Sequence, residues 1–155
     1  VTAANSSDLN SLEPVDLNSI SGTAASTTAI DVDLNLPSDA TIGDDFVTAL
    51  EVFDDLGVSH TIEVTYEKTA VNTWDVTYAD PYETSQGAGS GATGTIAPAT
   101  QTIVFNGDGS INTIGGAAAA AFNVAITGLA ATTGANNMAF TIDLGTQDGF
   151  DGLTQ

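Results

Sequence analysis

The sequence predicts an all-β fold, an antiparallel β-sandwich or flattened barrel, on three observations. Apolar and polar residues alternate in several short runs, links rich in glycine and aspartate separate those runs, and no long helical period competes with them. Strands patterned in this way bury one face and solvate the other, so they pack as layers. At 155 residues the chain is sized for one domain with its own core.

Residues 1–28 are rich in Ser, Thr, Asn and Ala and read as an extended arm or linker with room for one short strand. The β-domain is placed at residues 29–145, and 146–155 read as a return linker. Ile30, Val32, Leu34 and Leu36 alternate with Asp31, Asp33 and Asn35 until Pro37 ends the ladder. In FVTALEVF, Phe46, Leu50 and Phe53 also fit helical spacing; the β-favouring Val47, Thr48 and Val52, and the clear strand that follows, decide for strand. In HTIEVTYEK, Ile62, Val64 and Tyr66 face one way while Thr61, Glu63, Thr65 and Glu67 face the other. NTWDVTY repeats the period with Trp74, Val76 and Tyr78, which makes an antiparallel meander with Trp74 in the core. The glycine-rich residues 84–100 read as a loop. QTIVFNGDGSI sets Ile103 and Phe105 on one face and turns over Asn106–Gly109. Strands AFNVAIT and MAFTIDL follow, with the alanine run 117–121 before them as a loop or short helix.

Twenty acidic residues stand against one lysine, Lys68, so the formal charge is 1 − 20 = −19. Neutralising phosphates needs clustered Lys and Arg, which argues against nucleic acid as a partner. The same balance argues against docking on an anionic membrane, and no apolar run approaches the roughly 20 residues of a helical span. Without cysteine there are neither disulfides nor thiolate metal sites, and one histidine is a poor start for zinc or copper. The chain opens on Val1 with no leader pattern and reads as an excised or processed piece. Asn5-Ser6-Ser7 matches the glycosylation acceptor pattern, which is short enough to arise by chance.

The stretch EVFDDLGVSH gathers Asp54, Asp55, Ser59 and His60 around Gly57, the raw materials of a nucleophilic site. A triad requires serine and imidazole to meet, yet Ser59 and His60 are neighbours on a strand and point to opposite faces. There is no G-x-S-x-G elbow, and the glycine-rich loop lacks the lysine of a phosphate-binding loop. NGDGS offers Asn106, Asp108 and Ser110 at alternate positions, but Ile111 and Ala117 stand where a calcium loop would need glycine and glutamate. Asp54, Gly57 and His60 therefore read as turn and strand-end residues, and no catalytic, cofactor or metal site is expected. An extracellular calcium-binding or adhesive β-domain is the alternative reading.

LEVFDDLGVSHTIEVTYEKTAVNTWDVTY, followed after a loop by QTIVFNGDGSI, resembles the central β-domain of the bacterial flagellar hook protein family. Phe53, Asp54, Gly57, His60, Lys68, Thr69, Asn72, Trp74, Phe105, Asn106 and Gly109 occupy the matching places. The match covers residues 28–111 and extends through TTGANNMAFTIDL to about 144. The resemblance implies a non-enzymatic structural subunit, exported by the flagellar secretion route without a cleaved signal, that polymerises with its own copies into an extracellular tube. Export components and hook-associated proteins are the further partners it implies. The family's polymer rests on long terminal helices, which this sequence lacks, so the fragment alone is expected to be a monomer.

With one basic side chain, few ion pairs exist for salt to weaken, and like-charge repulsion is the term that screening relieves. The thermal midpoint should rise between low and moderate sodium chloride; a falling midpoint would contradict this reading of the field.

Overall fold

The computed structural model describes residues 24–155. In chain order the strands are β1 (Ala29–Asp31), β2 (Leu34–Asn35), β3 (Asp45–Phe53), β4 (Ser59–Ala70), β5 (Thr73–Tyr78) and β6 (Tyr82–Glu83). They continue with β7 (Thr95–Ala97), β8 (Thr100–Phe105), β9 (Ile111–Ile114), β10 (Ala121–Thr127), β11 (Met138–Asp143) and β12 (Leu153–Thr154). A 3-10 turn at Thr84–Gln86 and a single α-helical turn, α1 (Leu129–Thr132), complete the list.

The larger sheet has the order β3-β4-β5-β8-β9, with β6 beside β4; the smaller has the order β1-β11-β10-β7; β12 and β2 form a separate pair. Pairing is antiparallel except at β1–β11 and β2–β12. Neither sheet closes on itself, so the expected alternative between sandwich and flattened barrel resolves as an open sandwich.

Alternation builds the interior. On β4 the residues Ile62, Val64 and Tyr66 are buried, whereas Glu63 and Glu67 are exposed and Thr61 and Thr65 half-buried. On β5 the inward set is Trp74, Val76 and Tyr78. The smaller sheet contributes Ile96, Val124, Ile126, Phe140 and Ile142 to the same cluster.

FVTALEVF is a strand: β3 pairs residue for residue with β4 from Asp45↔Glu67 to Phe53↔Ser59. Its outer edge is bonded where Thr27 N–H donates to Phe53 O at 2.9 Å and Phe53 N–H donates to Thr27 Oγ1 at 2.9 Å. By the alternation of a ladder, Asp45, Val47, Ala49 and Glu51 turn their backbone groups to that same edge.

Three segments carry more structure than their sequence suggests. The glycine-rich 84–100 contains the 3-10 turn and β7, where buried Ile96 pairs with Ile126. Residues 146–155, read as a return linker, contain β12, where Leu153 enters the core and pairs with Leu34. The alanine run stays a loop, bridged by paired bonds between Ile114 and Ala117 at 3.0 Å, and the helical turn comes later, after Gly128. Of the expected arm, residues 1–23 lie outside the described residues.

Trp74 is 0% exposed, lies with its ring centroid 5.8 Å from that of Phe46, and has the Lys68 ammonium 5.6 Å from its ring. Trp74→Ala should cost about 3–5 kcal/mol. A denaturant titration giving less than about 1 kcal/mol would show that the indole does not anchor the core.

Candidate functional site

Two polar clusters collect the residues that the sequence singles out. The first begins with the turn after β3. Asp54 N–H donates to Val58 O at 3.0 Å and Gly57 N–H donates to Asp54 O at 3.0 Å, with Gly57 at φ +81° where a side chain would be strained. The Asp54 Oδ1 atom accepts the N–H groups of Leu56 and Val58, each at 2.9 Å. Its Oδ2 atom lies 3.0 Å from His60 Nε2, and both side chains are 0% exposed.

The other imidazole nitrogen, Nδ1, is 2.9 Å from Thr93 Oγ1. Thr93 in turn donates its hydroxyl proton to Pro81 O at 3.0 Å, while its N–H donates to the same carbonyl at 2.7 Å. A hydroxyl has one proton to give, so Thr93 accepts from Nδ1–H, and Nε2 faces the Asp54 carboxylate. Desolvation pushes Asp54 upward, but the His60 bond, the two amide bonds and the imidazole charge together bring its carboxyl below the ordinary 3.8.

This chain of Thr, His and Asp has the residue types of a nucleophilic relay but a different assignment of protons. The threonine proton is committed to a backbone carbonyl and is not available to the imidazole. Ser59 is half-buried and opposes Phe53 in the ladder, while both ring nitrogens of His60 are engaged elsewhere. What the cluster does is fasten the β3–β4 turn, β4 and the loop before β7 to one another. Sequence reasoning missed Thr93, 33 residues from His60 within an otherwise loop-like run, because no local pattern marks such a partner.

The second cluster lies at the other end of β4 and β5. Trp74 Nε1–H donates to Gln155 Oε1 at 2.9 Å, Gln155 Nε2 donates to Asn72 Oδ1 at 2.8 Å, and Gln155 N–H donates to Gly109 O at 3.1 Å. Gly109 sits at φ +95°, and a Cβ there would collide with Gln155 O. Phe105 is buried, and its N–H donates to Asn72 O at 2.8 Å. Asn106 N–H donates to Ser110 O at 2.8 Å and Gly109 N–H to Asn106 O at 3.1 Å, closing the hairpin. Gln155 thus gathers Asn72, Trp74 and Gly109, three positions that the sequence connects only through order.

The one acid of NGDGS, Asp108, is used by its own turn. Asp108 Oδ1 accepts the N–H of Ser110 at 3.0 Å and its hydroxyl at 2.7 Å, and these bonds hold its carboxyl below the ordinary range. Among the described residues no three His, Cys, Asp or Glu side chains come together as ligands for a metal ion.

A sandwich whose distinctive side chains bind its own turns, hairpins and core defines a structural β-module. The chain belongs to the family of flagellar basal body protein FlaE D2 domains, whose model matches residues 23–155. Over 90 residues it is 34% identical to the flagellar hook protein FlgE of Rhizobium meliloti (strain 1021). That stretch covers 58% of this chain and 20% of the relative, so the chain spans about a fifth of that protein's length. The resemblance read from the motifs is thereby established at the level of the domain family.

Removing one partner of a buried pair strands the other, so Asp54→Asn should destabilise by about 3–5 kcal/mol near neutral pH. The carboxyl is held below 3.8 in the folded chain, so the unfolded chain takes up its proton first on acidification. The stability that Asp54 supplies is then complete above that value and is lost as pH falls through the lower folded one. The gap between wild-type and Asp54→Asn melting midpoints should therefore narrow in acid; a gap constant with pH would refute the assignment.

Proposed function

We propose that the chain is an outer β-domain of a flagellar hook subunit, a passive mechanical module in an extracellular helical polymer of identical subunits. The observation that carries this reading is the family match over residues 23–155, supported by the likeness to a named hook protein. Its role is to hold shape while neighbouring copies shift against it. Both ends of the larger sheet are fastened by hydrogen-bond clusters, one buried and one half-buried, which stiffens the sheet.

The outer face of the larger sheet carries Thr61, Glu63, Thr65 and Glu67 on β4, then Asp75 and Thr77 on β5. On β3 the same face continues through Val47 and Phe53, both exposed, so the surface is mostly short polar and acidic side chains with a narrow apolar strip at one edge, which suits contacts that slide. Neighbouring copies meet because the rest of each subunit holds them at high effective concentration.

Deleting this segment from the full-length subunit should leave a tube of smaller outer diameter by electron microscopy. An unchanged diameter would remove the domain from the outer layer. Residues 1–155 alone should sediment as a monomer at micromolar concentration; a stable dimer or filament would show that the domain carries its own assembly interface.

A further inference from the structure

Asn106-Gly107 is the only Asn-Gly pair in the sequence. Gly107 is a glycine the turn does not require: its φ lies outside the left-handed region, and a Cβ built on it meets nothing within 4 Å. Gly109, two residues on, is the position where the backbone does demand glycine. Gly107 is exposed, and among the described residues its N–H donates to no group. An amide nitrogen without a covering side chain or a fixed partner, beside an asparagine side chain, is a nucleophile next to an electrophile.

We infer that Asn106 is a self-modification site, at which the chain converts its own asparagine to aspartate or isoaspartate. Hydroxide removes the Gly107 N–H proton, and the nitrogen attacks Asn106 Cγ to form a five-membered ring. The tetrahedral centre takes a proton from water and expels the side-chain nitrogen as ammonia, leaving a cyclic imide. Water then opens either C–N bond of the imide, giving aspartate or an isoaspartyl linkage. The balance is one water consumed and one ammonia released, with no oxidant or cofactor.

The consequence follows from what the amide holds. Asn106 Nδ2 donates to Ser110 Oγ at 3.0 Å and to Asp148 Oδ1 at 2.8 Å. The Ser110 hydroxyl proton already goes to Asp108, so Ser110 cannot turn to donate to a new carboxylate without breaking that bond. Asp148 is fixed by its own N–H, which donates to Ile111 O at 2.9 Å, in a left-handed conformation at φ +58°. Modification replaces two donors by an acceptor facing a carboxylate, and so releases the hairpin from the loop that leads to β12.

The test is to hold the folded 155-residue chain in mildly alkaline buffer and follow it by isoelectric focusing and peptide mass mapping. The expected result is a species one charge more acidic, −20 against −19, with the change at Asn106 ahead of every other asparagine. Gly107→Ala should keep the wild-type melting midpoint and suppress that species, and Asn106→Gln should suppress it too. Asn106→Asp should melt at a lower temperature than wild type. Equal rates in wild type and Gly107→Ala, or modification elsewhere before Asn106, would overturn the inference.

Discussion

A chain with twenty carboxylates and one lysine cannot close its surface with ion pairs, and this shortage governs how its turns are built. The available donors are backbone amides. Asp44, Asp54, Asp108, Asp143 and Asp151 each accept the N–H of a loop or turn residue, and Asp80 accepts that of Ile96 in β7. An amide bonded by a carboxylate needs no water, and a carboxylate holding an amide is partly compensated for its charge. The acid excess is thus partly absorbed as turn-forming material, and among the described residues the one close contact of a carboxylate with a basic side chain is the buried bond between Asp54 and His60. Lys68, the only lysine, gives its ammonium to Ser38 O at 2.6 Å and lies over the Trp74 ring.

The larger sheet was legible in the sequence because its signal is local. Period-two alternation in HTIEVTYEK and NTWDVTY follows directly from one buried and one solvated face, and the burial along β4 and β5 repeats it residue by residue. What stayed hidden depends on partners distant in sequence. β7 and β12 are three and two residues long, too short for a period, and exist because β10 and β2 receive them. Thr93 and Gln155 carry no motif of their own; each matters through residues 33 and 81 positions away.

The positions that read as hook-like motifs in the sequence divide between those two kinds of information. Trp74 and Phe105 are core residues that alternation alone would select. Asp54, His60, Asn72 and Gly109 look reactive or turn-like in the sequence, and in the fold each is bonded to a segment from elsewhere in the chain or to the buried pair. A polar residue fixed in this way is constrained by geometry as tightly as a catalytic one. Spacing alone therefore could not separate the two roles.

Among the described residues the side of β3 away from β4 is bonded only at Phe53, and this has a consequence for how the domain meets itself. A second β3 pairing antiparallel within the open stretch would put Asp45 opposite Glu51, and in-register parallel pairing would stack each acid on its own copy. The antiparallel register centred on Ala49 would bring the partner's Asp45 onto Phe53, whose edge Thr27 already occupies. These three registers are each opposed by charge or by sterics. The longest self-pairings open to this strand are thereby disfavoured, which blunts an edge that could otherwise seed uncontrolled stacking.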